Sequence, residues 1–276
     1  MKNIKVFRVF LAVIFFIAAL ALLFFPKPLH PMAVVAEKVQ IVPSALAATL
    51  GATLFWLAAT FLFGRVYCST VCPVGSLADI GTWLRRRCKN RGGSRLTFSY
   101  RPPRVWRYHF LAAYLFCLVL GVMSVCFLVE PWNIMRNIAS AVNLSATAQT
   151  WATLSFGAAT GIVAGVVSLV GLLVWGFLQG REFCNTVCPI GTAMGLTSGR
   201  TLYHIELDPD KCSGCLACED VCSSGCIKIV SRYVDNSRCV RCFDCLAACP
   251  DDAIHFQINR NRRPATPLLK RKNQAT

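Results

Sequence analysis

Charge is scarce in this sequence. Asp, Glu, Lys and Arg make up 15% of its 276 residues, where soluble globular chains carry about 25%. Acidic residues are scarcer still, with 13 Asp and Glu against 29 Lys and Arg. That balance, with 55% hydrophobic residues and a mean hydropathy of +0.52, excludes a disordered chain and argues against a soluble enzyme throughout. Histidine is nearly absent. His30, His109, His204 and His255 do not form the facing pairs that a two-histidine membrane haem needs. Cysteine alone is abundant, at 16 residues. A disulfide scaffold is usually a small secreted domain with little apolar content, which this is not, so metal or redox chemistry is the expectation.

Four stretches are apolar enough to cross a bilayer, which takes about 20 residues. They are Val9–Phe25, Ser44–Phe63, His109–Val129 and Leu154–Leu178. None has a charged residue in its middle, so no ion pathway is advertised. The first is expected to be a retained span, because the cleavage-like Val34-Val35-Ala36 lies too far beyond it. Lys2, Lys5 and Arg8 precede the first span. Arg65, Arg85, Arg86, Arg87, Lys89, Arg91, Arg95, Arg101, Arg104 and Arg107 fill the loop after the second. The two other loops hold only Lys27, Lys38 and Arg136. The positive-inside rule puts both termini and the basic loop in the cytoplasm. The basic excess is then a topology signal, and no nucleic-acid partner is expected.

Residues 64–75 read GRVYCSTVCPVG and residues 180–191 read GREFCNTVCPIG, without a gap. Each directly follows an even-numbered span. Two such two-span units would pack about a pseudo-twofold axis along the membrane normal. Cys68 and Cys72, like Cys184 and Cys188, are four apart and would share one helix face. These four thiols are candidate metal, cluster or redox ligands, and the spacing leaves the choice open. After Pro73, an amphipathic interfacial helix is expected, with Val74, Leu77, Gly81 and Leu84 on one side.

Cys212, Cys215, Cys218 and Cys222 read C-x2-C-x2-C-x3-C, and Cys239, Cys242, Cys245 and Cys249 repeat the spacing before Pro250. This is two-cluster ferredoxin spacing, in which the fourth Cys of each run serves the other cluster. One [4Fe–4S] cluster is expected on Cys212, Cys215, Cys218 and Cys249, the second on Cys239, Cys242, Cys245 and Cys222. Zinc has little use for the third and fourth Cys of each run. Cys226 aligns with Ala253 and is expected to be a core residue. Strands are expected at Tyr203–Leu207, Ile227–Val230 and Ala253–Ile258.

The organisation that results is a polytopic α-helical membrane protein with a C-terminal α+β ferredoxin domain. Residues 1–64 form the first two-helix unit, 65–108 the basic loop, 109–200 the second unit, 201–258 the ferredoxin domain and 259–276 a basic tail expected to be disordered.

Four spans, two C-x3-C-P motifs and a two-cluster ferredoxin region together resemble the NapH family of membrane polyferredoxins, whose core recurs in NosR-type and CcoG-type proteins. GRVYCSTVCPVGSLADIGTWLRR and Lys38–Ala47 carry the resemblance most closely. It implies a bacterial inner-membrane protein exchanging electrons between the quinone pool and a separate partner, whether ferredoxin-like, flavoprotein or cytochrome. CcoG-type proteins suggest copper reduction as an alternative, with soft thiolates suited to Cu(I). NosR-type proteins suggest redox regulation. Two places offer a quinone site: Glu130 and Trp132 after the third span, or a cytoplasmic slot near Trp83 and His109. The second would shorten the route to the clusters, since Glu130 is expected about 30 Å away across the bilayer core.

Overall fold

The computed structural model describes residues 2–24, 50–92, 97–120, 130–132, 134–135, 137–139 and 156–258. Expectations for His30, Lys38–Ala47, Cys126, Arg136 and the tail from 259 lie outside these residues. Helices stand on parts of all four apolar stretches: α1 (Lys2–Phe24), α2 (Leu50–Phe63), then α3 (Tyr67–Thr70) and α4 (Pro73–Gly92) from the first motif and loop, α5 (Trp106–Val119) and α6 (Phe156–Gln179). Among the described residues one helical segment, Asn3–Ala21, is long and apolar enough to cross a membrane, while Leu54–Phe63 and Val163–Gln179 are shorter apolar stretches. The second motif forms α7 (Glu182–Thr186) and α8 (Pro189–Ser198).

The two units interlock. Helix α1 packs on α3 and α4 of its own unit, as α5 packs on α7 and α8. Across the units, α4 lies along α6 and α8 lies against α2. The α4–α6 contact is close because a Cβ at Gly81 would come within 2.9 Å of the Gly176 backbone. Arg85 and Arg101 donate to the Phe177, Leu178 and Gln179 carbonyls, satisfying the open C-terminal end of α6. Helix α4 buries Val74, Leu77, Ala78, Gly81 and Thr82 on α6 and α1, but Leu84 is exposed. The buried stripe turns away from the expected one after Gly81, because Ala78 and Thr82 replace Leu84 against the neighbouring helices.

The C-terminal region pairs β1 (Tyr203–Leu207) with β4 (Ile254–Ile258), antiparallel, Ile205 opposite Phe256. A hairpin pairs β2 (Ile227–Lys228) with β3 (Tyr233–Val234). Strand β2 is two residues shorter than expected, because the chain turns at Ile229–Arg232, where Arg232 takes a positive φ. The short helices α9 (Ala217–Asp220) and α10 (Asp244–Ala248) pack on each other, with α9 against β2 and α10 against β4.

This module is bolted to the ends of α2 and α6. Both helices stop at the first motif glycine, Gly64 (φ +80°) and Gly180 (φ +67°), a conformation that L-side chains rarely adopt. A Cβ there would strike Arg241 and the Ser223 carbonyl, respectively. Arg241, fully buried, donates to the carbonyls of Phe63 and Tyr203, to Asn236 Oδ1 and to Thr201 Oγ1. Phe63, Tyr203 and Phe256 stack in a row at 5.4 Å spacings. On the far side Asp244 binds Lys5 of α1 at 2.9 Å and Arg86 of α4 at 2.7 Å. Burial alone would push the Asp244 carboxyl up, but these two cations hold it below the usual carboxylate range. Asp244→Asn should weaken this clamp by about 1 kcal/mol, since Lys5 and Arg86 are left partly solvated. A double-mutant cycle with Arg86→Met, read by thermal unfolding, checks it, and a coupling near zero would contradict it.

Candidate iron–sulfur sites and the thiol quartet

Two cavities in the C-terminal module are lined by cysteine. The outer is lined by Cys212, Cys215, Cys218 and Cys249, with Leu207, Ile229 and Ile254 as its apolar wall. The inner is lined by Cys222, Cys239, Cys242 and Cys245, with Cys226, Val240 and Phe243. The chain reaches this crossed arrangement by short left-handed steps. Leu216 and Phe243, each following a Cys, have φ of 65° and 60°, and each opens a one-turn helix that carries the next Cys inward. Cys222 and Cys249 sit at the ends of these helices, turned to the opposite cavity.

Among the described residues no three His, Cys, Asp or Glu side chains converge tightly enough to hold a single ion. Soft donors spread around an apolar cavity instead suit a cubane, whose corners lie further apart than the ligands of one metal. The cavities differ in exposure. Cys215 is exposed and Cys249 partly so, whereas every cysteine of the inner set is buried. Burial pushes the Cys218 thiol up to about 12, with neighbouring sulfurs adding to it.

Cys226 is 1% exposed and lines the inner cavity, with Sγ 3.5 Å from Cys222 Sγ. Cys239 is drawn down to about 5, first by the Cys226 thiol and then by Arg241. Cys226 is thus a core residue, and with Cys222 as a ligating thiolate its one S–H would be the donor of that contact. Removing a donor to a ligating sulfur lowers a cluster's reduction potential. Cys226→Ala should lower the inner potential and leave iron content unchanged, as redox-titrated EPR and iron analysis can check. Loss of iron would instead make Cys226 a ligand.

The C-x3-C-P motifs come together beneath this module. Neither is one continuous helix. Helices α3 and α7 end within a turn, and Cys72 N–H and Cys188 N–H reach back five residues to the carbonyls of Tyr67 and Phe183. Proline then opens α4 and α8. Cys68, Cys72, Cys184 and Cys188 are all buried. Burial first, then the other thiols of the quartet, pushes Cys72 and Cys188 well up, while Arg181 and Arg65 temper Cys184 at about 11. Cys68, Cys72 and Cys188 share one buried cluster with Cys242 of the inner cavity. The repeated arginines cross over. Arg65 donates to the Cys184 carbonyl at 2.7 Å and to Asn185 Oδ1 at 2.6 Å. Arg181 donates to the Cys68 carbonyl at 2.7 Å and pairs with Asp79. Sequence reasoning counted Arg65 as a loop cation, though the duplicated Gly-Arg was the available signal.

Of the candidate quinone residues, Trp83 and His109 are exposed; the Arg87 guanidinium lies 4.7 Å over the Trp83 ring, and the His109 ring is tilted 45° against Trp106. Glu130 and Trp132 are buried, at 2% and 4% exposure. The Trp132 backbone N–H donates to Glu130 Oε1, and the buried indole Nε1 has no hydrogen-bond partner among the described residues. Ile134, Met135 and Ile138, just beyond, belong to the same buried cluster as Cys68, Cys72 and Cys188. The described residues of the expected outer loop are thus largely buried, because Ile134, Met135 and Ile138 find cover in that cluster.

A family described as "4Fe-4S binding domain" matches residues 45–91 and 162–204, and a second of the same description matches 205–228. With two cysteine-lined cavities, those matches support iron–sulfur clusters in this chain. Among curated relatives, the ferredoxin-type protein NapH of Haemophilus influenzae is 28% identical over 83% of this chain and 75% of its own. The methylamine utilization ferredoxin-type protein MauN of Paracoccus denitrificans is 29% identical over 74% and 64%. An uncharacterized protein of Methanocaldococcus jannaschii is 26% identical over 93% and 88%. No solved structure matches. The resemblance to NapH-type polyferredoxins is borne out by these relatives.

Proposed function

We propose that the chain is a four-span inner-membrane protein that takes electrons from quinol and delivers them, through two [4Fe–4S] clusters, to a separate redox partner. The carrying observation is the graded burial of its cysteines. Cys242 of the inner cavity packs in one core with Cys68, Cys72, Cys188, Ile134, Met135 and Ile138, whereas Cys215 of the outer cavity meets solvent. Cys222, Cys239, Cys242 and Cys245 would hold the inner cluster, and Cys212, Cys215, Cys218 and Cys249 the outer. Each cluster supplies one-electron transfer at a potential set by hydrogen bonds and exposure.

The quinone headgroup belongs beside Glu130 and Trp132. The Trp132 indole N–H offers a donor to a quinone oxygen, and Glu130 a base for a quinol proton. Apolar side chains exposed on α1, α2, α5 and α6, such as Phe10, Phe55, Phe116 and Val167, support lipid-facing spans. Lys5 of α1 binds the module and α2 and α6 both end on it, which supports a cytoplasmic N-terminus and module together. Reporter fusions at Thr276 and Ser94 should both read cytoplasmic.

The test is reduction of the clusters by a menaquinol analogue in purified, anaerobic protein. Glu130→Gln and Trp132→Phe should each slow it at least tenfold, with iron content and dithionite-reduced EPR unchanged. Unaltered rates in both variants would move the quinone elsewhere.

A further inference from the structure

The two cysteine runs of the module differ at one matched position. The residue before the second cysteine is Gly214 in the first run and Arg241 in the second. Both take left-handed backbone, with φ of +78° and +57°. Glycine adopts that conformation freely, whereas an arginine is strained in it. The Arg241 side chain is also fully buried. An arginine thus stands where both conformation and burial disfavour it, so what its side chain meets must offset two costs.

Hydrogen bonds alone do not balance its charge. The acceptors of the guanidinium are neutral: the Phe63 and Tyr203 carbonyls, Asn236 Oδ1 and Thr201 Oγ1. Among the described residues it forms no ion pair. Burying a guanidinium is costly unless a negative charge stands near it. Other charges near the inner cavity are already matched. Arg8 and Asp244 lie within electrostatic reach of Cys242, but Arg8 pairs with Asp79, and Asp244 with Lys5 and Arg86. Arg241 instead bears on Cys239. That sulfur is drawn down first by the Cys226 thiol, and Arg241 adds its charge and its own hydrogen bonds. The outer cavity is balanced differently: Arg232 reaches the Cys212 carbonyl, while Asp251 lines the wall.

We propose that Arg241 is a positioning residue for electron entry: acting through Cys239, it holds the inner centre at a potential that quinol can reach. A cluster becomes more negative with each electron it takes up, and a site without water resists that change. Every cysteine of the inner set is buried, so burial by itself drives the inner potential down. Arg241 supplies the opposing charge at a fixed place, because Asn236, Thr201 and the end of α2 hold the guanidinium there. The electron comes from quinol, and Arg241 keeps its proton throughout, so no bond of Arg241 is made or broken. The inference rests on the reading that the inner cysteines hold a cluster and that quinol reduces it, and names the residue that makes the two compatible.

Redox titration of full-length protein with chemical mediators, in detergent and followed by EPR, tests this without quinol. The inner centre is the signal that Cys245→Ser alters. In Arg241→Gln its ratio of reduced to oxidised form at a fixed potential should fall at least tenfold, a midpoint lower by about 59 mV for one electron. Arg241→Lys keeps the charge and should recover most of that shift. The outer midpoint should stay in place in both. A smaller shift in Arg241→Gln would overturn the proposal, and so would an equal shift in Arg241→Lys, which a merely structural role predicts. Should both variants fail to fold, Asn236→Asp decides. It sets a carboxylate where Oδ1 now stands 2.6 Å from Arg241 Nη1, and the guanidinium so neutralised should lower the inner midpoint. An unmoved midpoint there would refute the role. Unaltered protein without iron would remove the cluster reading and this inference together. Midpoints that move as expected, in protein that quinol fails to reduce, would sink the quinol reading and leave the effect of Arg241 on the potential standing.

Discussion

Arg181→Ala should be among the most damaging substitutions in the chain, costing about 3–5 kcal/mol. The guanidinium has no exposure to water and joins three elements: its own position ahead of α7, the Cys68 carbonyl of α3 and the Asp79 carboxylate of α4. Its removal strands a buried carbonyl and leaves Asp79 with Arg8 alone. Arg181→Lys should recover only part of the loss, because an ammonium cannot reach the carbonyl and the carboxylate with the same planar fork. Chemical unfolding in detergent, followed by tryptophan fluorescence, measures this. A cost below about 1 kcal/mol would mean that the crossed arginines are incidental.

The second large effect concerns the order of the cavities. Cys245→Ser should abolish electron delivery to an external acceptor even where the outer cluster stays loaded. Cys215→Ser should also stop delivery, yet leave a centre inside the chain that quinol still reduces. The contrast follows from depth: Cys245 is buried on the core side, whereas Cys215 faces solvent. Rapid-freeze EPR after quinol addition distinguishes the two variants. Reduction of the outer centre in Cys245→Ser would place the electron entry outside the membrane-side core.

Much of the module was legible because cysteine spacing reports which loops must wrap a cluster. The same eight positions line the two cavities. Strand β1 matched its expected bounds, since Tyr203–Leu207 is bounded by turn residues on both sides. What the sequence hid was tertiary. The four-residue spacing of Cys68 and Cys72 suggested a single helix, but Pro73 and the wide closure on Tyr67 break it. Loop arginines looked like topology signals, yet Arg65 is buried across the repeat and Arg85 caps α6. Position relative to a membrane says nothing of which carbonyl a guanidinium will find. Glu130 and Trp132 looked like an interfacial pair because the apolar residues after them, Ile134 and Met135, give no sign of where they fold.

The crossed arginines also set a timetable for the chain as it is made. Arg65 waits for Asn185, 120 residues later. At a synthesis rate of about 5–20 residues per second, that is roughly 6–24 s. Until then the first motif has its cation without its acceptors, and Cys68 lacks the donor to its carbonyl. The N-terminal half therefore cannot commit to its final core on its own. A ribosome stalled before the second motif should leave Cys68 and Cys72 open to thiol-reactive reagents, and their protection should arrive only when the second Gly-Arg emerges.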